Sequence, residues 1–158
     1  MYKRFNRCSN NALQTGLIIF TILYINIAGS LNITTINING LNNVNKQLSL
    51  INFLNYHRID ILLVQEHNIR KRDVICKELN DLYHIVINLS VAHNGGTAIF
   101  IDKRLNCNIR NNEMSADGRI ISVNLDFYGK PLHIINIYVP SGGKNSDRDK
   151  FFQDEFEN

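Results

Sequence analysis

Residues 31–66 read LNITTININGLNNVNKQLSLINFLNYHRIDILLVQE and place a strand, a helix and a second strand in succession. Residues 31–38 are rich in β-branched side chains and predict a strand, which Asn39-Gly40 punctuates at its end. Residues 61–64 form a continuous apolar run, which is typical of a strand covered on both faces. This succession favours a fold that mixes helices with a sheet.

The segment between these two strands predicts an amphipathic helix over residues 44–56, with Asn43 as its N-cap. The apolar positions at helical spacing are Val44, Leu48, Ile51 and Leu54. We expect this stripe to face the core.

Strand signals dominate the rest of the chain after a short helix predicted over residues 70–82. Further strands are predicted at 84–89, 97–102, 106–110, 119–127 and 132–139. The turns between them contain Asn94-Gly95-Gly96, Asp117-Gly118 and Tyr128-Gly129-Lys130-Pro131. Residues 147–157 predict the start of another helix. The fold class is therefore α/β (α+β), with strands dominant.

Composition limits the other possibilities. A length of 158 residues suits one domain, and a hydrophobic fraction of 44% excludes general disorder. Lys3, Arg4 and Arg7 account for the whole net charge of +3, so the rest of the chain is balanced. Any binding to phosphates must therefore be local.

The N-terminal segment has two interpretations. Residues 17–28 (LIIFTILYINIA) follow a basic stretch and precede a small-residue site at Ala28-Gly29-Ser30, as in a secretory signal peptide. This interpretation predicts a secretory or membrane location, with membrane contact through residues 17–28. The alternative is an upstream extension or a buried apolar strand. The sequon Asn32-Ile33-Thr34 counts against secretion, because a glycan could not be packed in a buried strand.

Polar residues follow several of the apolar strands. Their segments are Asn37-Ile38-Asn39-Gly40-Leu41, Val64-Gln65-Glu66, Gly118-Arg119-Ile120-Ile121 and Asn136-Ile137-Tyr138-Val139-Pro140. A carboxylate at a strand end suits a hard cation such as Mg²⁺. Amides and a tyrosine hydroxyl can hold a phosphate and stabilise a charged transition state. The pattern indicates chemistry on a phosphate ester.

These segments, together with Gly95-Gly96-Thr97-Ala98-Ile99, resemble the endonuclease/exonuclease/phosphatase superfamily in content and order. The apurinic-type endonuclease domain of non-LTR (LINE-type) retrotransposons is the most similar family. The resemblance covers about residues 31–158. It implies the N-terminal half of a four-layer α/β/β/α sandwich, with DNA as the partner, Mg²⁺ or Mn²⁺ as the cofactor and no small-molecule cofactor.

The resemblance also implies roles for individual residues. Glu66 would be the main metal-binding carboxylate, and Asn39 stands where related enzymes have a metal-contacting Asp. Asn37 would contact the scissile phosphate. The remaining implied site residues are Tyr138, at the phosphate or transition state, and Arg119 and Asn136, in the substrate-binding wall.

Two family motifs, G-D-x-N and S-D-H, do not occur in the sequence. The resemblance therefore implies a truncated endonuclease that is inactive alone, with a nuclear or cytoplasmic location by family. A secreted or membrane-tethered phosphodiesterase or phosphatase of the superfamily and a non-catalytic fragment are the alternatives. Half a sandwich would leave alternate residues of 120–125 and 134–139 open to water.

A basic run, Arg70-Lys71-Arg72, follows the Gln-Glu segment. It is either a solvated helix start or a contact for DNA phosphates. The sequence leaves both interpretations open.

Overall fold

A computed structural model of the chain describes residues 21–26, 30–91 and 95–139, together with residue 153. Its strands are β1 (Thr21–Asn26), β2 (Ser30–Asn37), β3 (Ile61–Gln65), β4 (Tyr83–Asn88), β5 (Thr97–Asp102), β6 (Cys107–Met114), β7 (Ile120–Phe127) and β8 (Lys130–Ile137). The helices are α1 (Val44–Tyr56), α2 (Lys77–Leu82) and a 3-10 turn over Arg72–Val74. The mixed α/β class is confirmed.

The strands form two sheets. The first has the order β1-β2-β3-β5-β4, and only its β2–β3 pair is parallel, with Asn37 opposite Gln65. The second is an antiparallel meander, β6-β7-β8. Because β2 and β3 run in the same direction, α1 crosses between them over one face of the first sheet.

The second sheet covers the opposite face of the first. The shared core contains Leu31, Ile33, Ile61, Ile99 and Ile101 from one sheet and Ile121, Val123, Leu125 and Ile134 from the other. Ile121 and Val123 are completely buried. The expectation that residues 120–125 and 134–139 would leave one face of their sheet open to water was wrong. The described residues form both sheets, and each sheet covers the inner face of the other.

Helix α1 has the predicted bounds and cap, and Ile51 and Leu54 of its predicted stripe are buried, but the rest of its buried face differs. Asn43 Oδ1 accepts from the backbone N–H groups of Asn45 and Lys46 at 2.8 and 3.4 Å. The buried residues are Gln47, Leu50, Ile51 and Leu54. Val44 and Leu48 of the predicted stripe are 50% and 38% exposed. The buried face begins at Gln47, and a pattern of apolar residues does not identify a buried glutamine.

Gln47 also explains why the predicted helix over 70–82 is divided. Its Nε2 donates to the carbonyls of Leu41 and Val74 at 2.8 and 3.0 Å. Its Oε1 accepts from the N–H of Cys76 at 2.7 Å. Since that N–H is held by a side chain and Cys76 is extended, the 3-10 turn ends and α2 begins anew.

Part of the N-terminal apolar segment belongs to the first sheet. β1 pairs antiparallel with β2, with Thr21 opposite Thr35, which corresponds to the strand alternative. No helix among the described residues is long and apolar enough to cross a membrane. Residues 1–20 and 27–29, which include part of the signal-like stretch 17–28, lie outside the described residues, as does the predicted helix over 147–157 except for residue 153.

Candidate active site

The five sequence segments meet at one end of the sandwich. β2, β3 and β8 finish there, whereas β5 and β7 start there. The register places Gln65 beside both Asn37 and Thr97 in the first sheet. In the second sheet it places Asn136 beside Ile121. The strand ends therefore collect the predicted site residues over a rigid scaffold.

The loops after β2 and β3 continue to pair beyond the strands. The N–H of Ile38 donates to the carbonyl of Gln65 at 3.0 Å, and that of Gly40 donates to the carbonyl of Glu66 at 2.6 Å. Asn39 and Glu66 both have left-handed backbones, with φ of 47° and 54°. Non-glycine residues in this conformation cluster at functional sites.

Asn37 and Asn39 form one side of the site. The N–H of Asn39 donates to Oδ1 of Asn37 at 3.2 Å. Lys46 from α1 donates through Nζ to the carbonyls of Ile38 and Asn39 at 2.7 and 3.1 Å. Burial lowers the pKa of Lys46. The lysine therefore fixes the backbone of this loop and adds a positive charge near it.

Glu66 and Tyr138 are joined across the two sheets. The Tyr138 side chain hydrogen-bonds that of Glu66, and burial, reinforced by Glu66, raises the pKa of Tyr138 to about 12. The phenol thus stays protonated at neutral pH and serves as a hydrogen-bond donor. The N–H of Tyr138 donates to the carbonyl of Arg119 at 2.8 Å.

Arg119 lies at the rim of this pair. Its Nε is 3.4 Å from Oδ2 of Asp117. Its positive charge opposes the upward shift in the pKa of Tyr138. Ser115 Oγ and Asp117 Oδ1 accept from the Arg119 N–H at 3.1 and 3.0 Å.

Asn136 lies inside the wall. It is 2% exposed, and its Nδ2 donates to the carbonyls of Val64 and Ala98, both at 2.9 Å. Its Oδ1 accepts from Gln65 Nε2 at 2.5 Å, and the same Nε2 donates to Thr35 Oγ1 at 2.8 Å. This buried network fastens β8 to the first sheet directly beneath the site.

His67 is a structural centre that the sequence reasoning missed. Its ring is fully buried: Nδ1 accepts from the Ile69 N–H at 2.9 Å, so Nε2 donates to the Asn88 carbonyl at 3.0 Å. Burial lowers the pKa of His67. A Cβ on Gly96 would lie 2.4 Å from the ring, and Gly96 has a φ of +87°. The His67 ring thus explains the glycine at position 96, and the only sequence signal for that histidine is its position after Glu66.

The donor set suits one hard cation with few protein ligands. Glu66 supplies a carboxylate, and Asn39 supplies an amide oxygen from the neighbouring loop. Among the described residues, no group of three His, Cys, Asp or Glu side chains could hold a metal ion. Mg²⁺ is commonly held by one or two carboxylates while it keeps several waters, so the residues fit it.

Solved structures share this architecture. The chain is similar to D. rerio TDP2 complexed with a single-strand DNA product (TM-score 0.61, 19% identity, 78% of this chain and 52% of that chain). It is similar to an AP endonuclease from Archaeoglobus fulgidus (TM-score 0.58, 23% identity, 80% of this chain and 48% of that chain). It is also similar to the human Nocturnin catalytic domain with bound sulfate (TM-score 0.50, 14% identity, 89% of this chain and 63% of that chain).

These structures are all endonuclease/exonuclease/phosphatase-type folds, and the chain has part of that sandwich. It spans about half the length of the first two. No protein-family model matches the chain, and no curated protein matches it in sequence.

Proposed function

We propose that residues 31–158 are the N-terminal portion of a Mg²⁺-dependent DNA endonuclease of retrotransposon type. The observation that carries the proposal is the cross-sheet pair of Glu66 and Tyr138 beside the Asn37–Asn39 turn. It brings a carboxylate, a protonated phenol and two amides together at the strand ends. Support also comes from the five ordered segments and from two similar structures, one with a DNA product and one an AP endonuclease.

The site residues have complementary tasks. Glu66 and Asn39 would hold the cation, which would offset charge on the phosphoryl oxygens when bound. Asn37 uses its Oδ1 for the Asn39 N–H, so its Nδ2 is the group that would donate to a phosphate oxygen. Tyr138 keeps its proton at neutral pH, and its single O–H would turn from Glu66 to a phosphoryl oxygen to donate to a developing negative charge.

Water activation needs a base that these residues do not provide. The sequence has no Ser-Asp-His, and no described histidine forms an ion pair with a described carboxylate. Loss of a general base typically costs about 10²–10⁴-fold in rate. We therefore expect the chain alone to lack measurable nicking activity on supercoiled plasmid. The complete enzyme would be encoded with G-D-x-N and S-D-H further on.

Strand β1 favours the interpretation of the N-terminal apolar segment as a strand of the domain over its interpretation as a cleaved signal peptide. Cleavage after Ala28 would remove the strand that pairs with β2. In addition, Asn32 Nδ2, the atom that a glycan would modify, donates to the carbonyls of His57 and Arg58 at 3.0 Å each. Both contacts support a protein that is not secreted.

Calorimetric titration with Mn²⁺ tests the proposal. We expect Glu66→Gln to weaken Mn²⁺ binding by at least about 10-fold, because Glu66 would be a direct ligand and loss of even an outer-shell partner typically costs about that much. Glu113→Gln is the matched control, since Glu113 is exposed on β6. Equal binding by the two variants would refute the proposed metal site.

A further inference from the structure

A cleft of about 490 Å³ lies beside the candidate active site. Its lining residues are Asn42, Asn68, Arg70, Lys71 and Val74. Asn42 and Asn68 belong to the same two loops that carry Asn39 and Glu66, and these loops are joined by the Gly40–Glu66 backbone bond. The cleft and the site are therefore built on the same two loops.

The cleft has a fixed floor. Asn68, with a φ of 57°, donates its N–H to the carbonyl of Gly95 at 3.0 Å, and its Oδ1 accepts from the Gly95 N–H at 2.9 Å. Asn42 Nδ2 donates to the Asn68 carbonyl at 3.0 Å. On the far wall, the buried Gln47 holds the carbonyl of Val74. The shape is thus set by the fold before any ligand arrives.

The rim of the cleft is positively charged. Arg70 and Lys71 line it, Arg72 follows them, and all three residues are exposed. Within the described part of the chain, neither Lys71 nor Arg72 forms an ion pair with a carboxylate. The exposed Asp73 is the one acidic neighbour in sequence. Because the body of the chain is neutral overall, this rim is a local feature and not part of a general basic surface.

We propose that this cleft binds a backbone phosphate of DNA flanking the scissile phosphodiester, with Arg70 and Lys71 as the cationic contacts. The inference rests on the proposed function and assigns a place on this chain where the DNA substrate is held outside the reacting bond. A nucleic acid places phosphates on both sides of the reacting bond, so one can occupy the cleft while another meets Glu66 and Asn37. A small phosphate ester has no second phosphodiester to bring there.

The salt dependence of DNA binding tests this inference. Anisotropy of a fluorescein-labelled DNA duplex is measured in EDTA, so that metal at Glu66 does not contribute, between about 50 and 200 mM salt. We expect Lys71→Gln to reduce the slope of log K against log salt by about 0.9, and the Arg70→Gln/Lys71→Gln pair by about twice that. Lys71→Arg should keep the wild-type slope. Lys130→Gln, at the opposite end of β8, is the matched control and should also keep it.

A slope that falls equally in Lys71→Gln and Lys130→Gln would overturn the inference, as would a wild-type chain that does not bind the duplex. The folding of each variant is checked by its thermal melt. Because this assay contains no metal, it is independent of the Mn²⁺ titration. If Mn²⁺ binding depends on Glu66 but the salt slopes of the Arg70 and Lys71 variants equal that of the wild type, the phosphate site in the cleft is refuted and the proposed metal site is not.

Discussion

At the scale of single residues, Gly96 and His67 show how tightly the loops behind the site are packed. A methyl group at Gly96 would enter the His67 ring, whereas one at Gly129 would meet nothing within 4 Å. Both glycines have positive φ, so each Gly→Ala change carries a left-handed penalty of about 1–2 kcal/mol. We expect Gly96→Ala to cost at least about 1 kcal/mol more, since overpacking adds to that penalty. Urea unfolding measures the difference, and equal losses would contradict the packing described.

His67 should make folding sensitive to acid. The pKa of His67 is lowered in the folded state. Its contribution to the free energy of unfolding is therefore fully present above the unfolded pKa near 6.5 and is lost as the pH falls below that value. The slope from this residue is at most about 1.4 kcal/mol per pH unit. Urea unfolding between about pH 7.5 and 5.5 should show the loss. A glutamine in His67→Gln can make both hydrogen bonds without titrating, so the free energy of unfolding of this variant should depend less on pH. An unchanged pH dependence would show that another group causes the acid sensitivity.

At the scale of elements, Gln47 connects α1, the loop after β2 and the break before α2. Gln47→Ala would leave the carbonyls of Leu41 and Val74 and the N–H of Cys76 without this partner. Each buried polar group left unpaired costs about 1–3 kcal/mol, so we expect a loss of about 3 kcal/mol or more. Ser49→Ala, on the exposed face of the same helix, should stay within about 0.5 kcal/mol. Similar losses for the two variants would show that Gln47 does not hold this junction.

The same element marks where sequence reasoning succeeds and where it stops. The bounds of α1 and its Asn43 cap follow from local signals, and so do most strands, because turn residues and β-branched runs act over a few positions. The buried face of α1 and the break at Cys76 depend on one glutamine whose partners are 6, 27 and 29 residues away. Likewise, the five segments could be read from sequence, whereas the roles of His67 and Gln65 appear only once the sheets are stacked.

At the scale of the whole molecule, Asn136 holds the second sheet on the first. The two sheets share one apolar core, so we expect a single cooperative unfolding transition. Asn136→Ala would remove its hydrogen bonds to the carbonyls of Val64 and Ala98, while the Gln65 amide keeps Thr35, at a cost of about 2 kcal/mol or more. Asn124→Ala is the control, because that amide bonds Asn111 at the exposed surface. Two separate transitions in the wild type, or equal effects of the variants, would contradict a core shared between the sheets.

The central claim is that the strand ends form one metal and phosphate site, and paramagnetic broadening by Mn²⁺ tests it most directly. In ¹⁵N-labelled protein, we expect the amide signals of residues 37–41, 66–68 and 138 to broaden first. The signals of Tyr83, Asp102 and Arg104, at the opposite end of the first sheet, should remain sharp, and Glu66→Gln should abolish the selective broadening. Broadening centred on Asp102, or an identical pattern in Glu66→Gln, would contradict the site described.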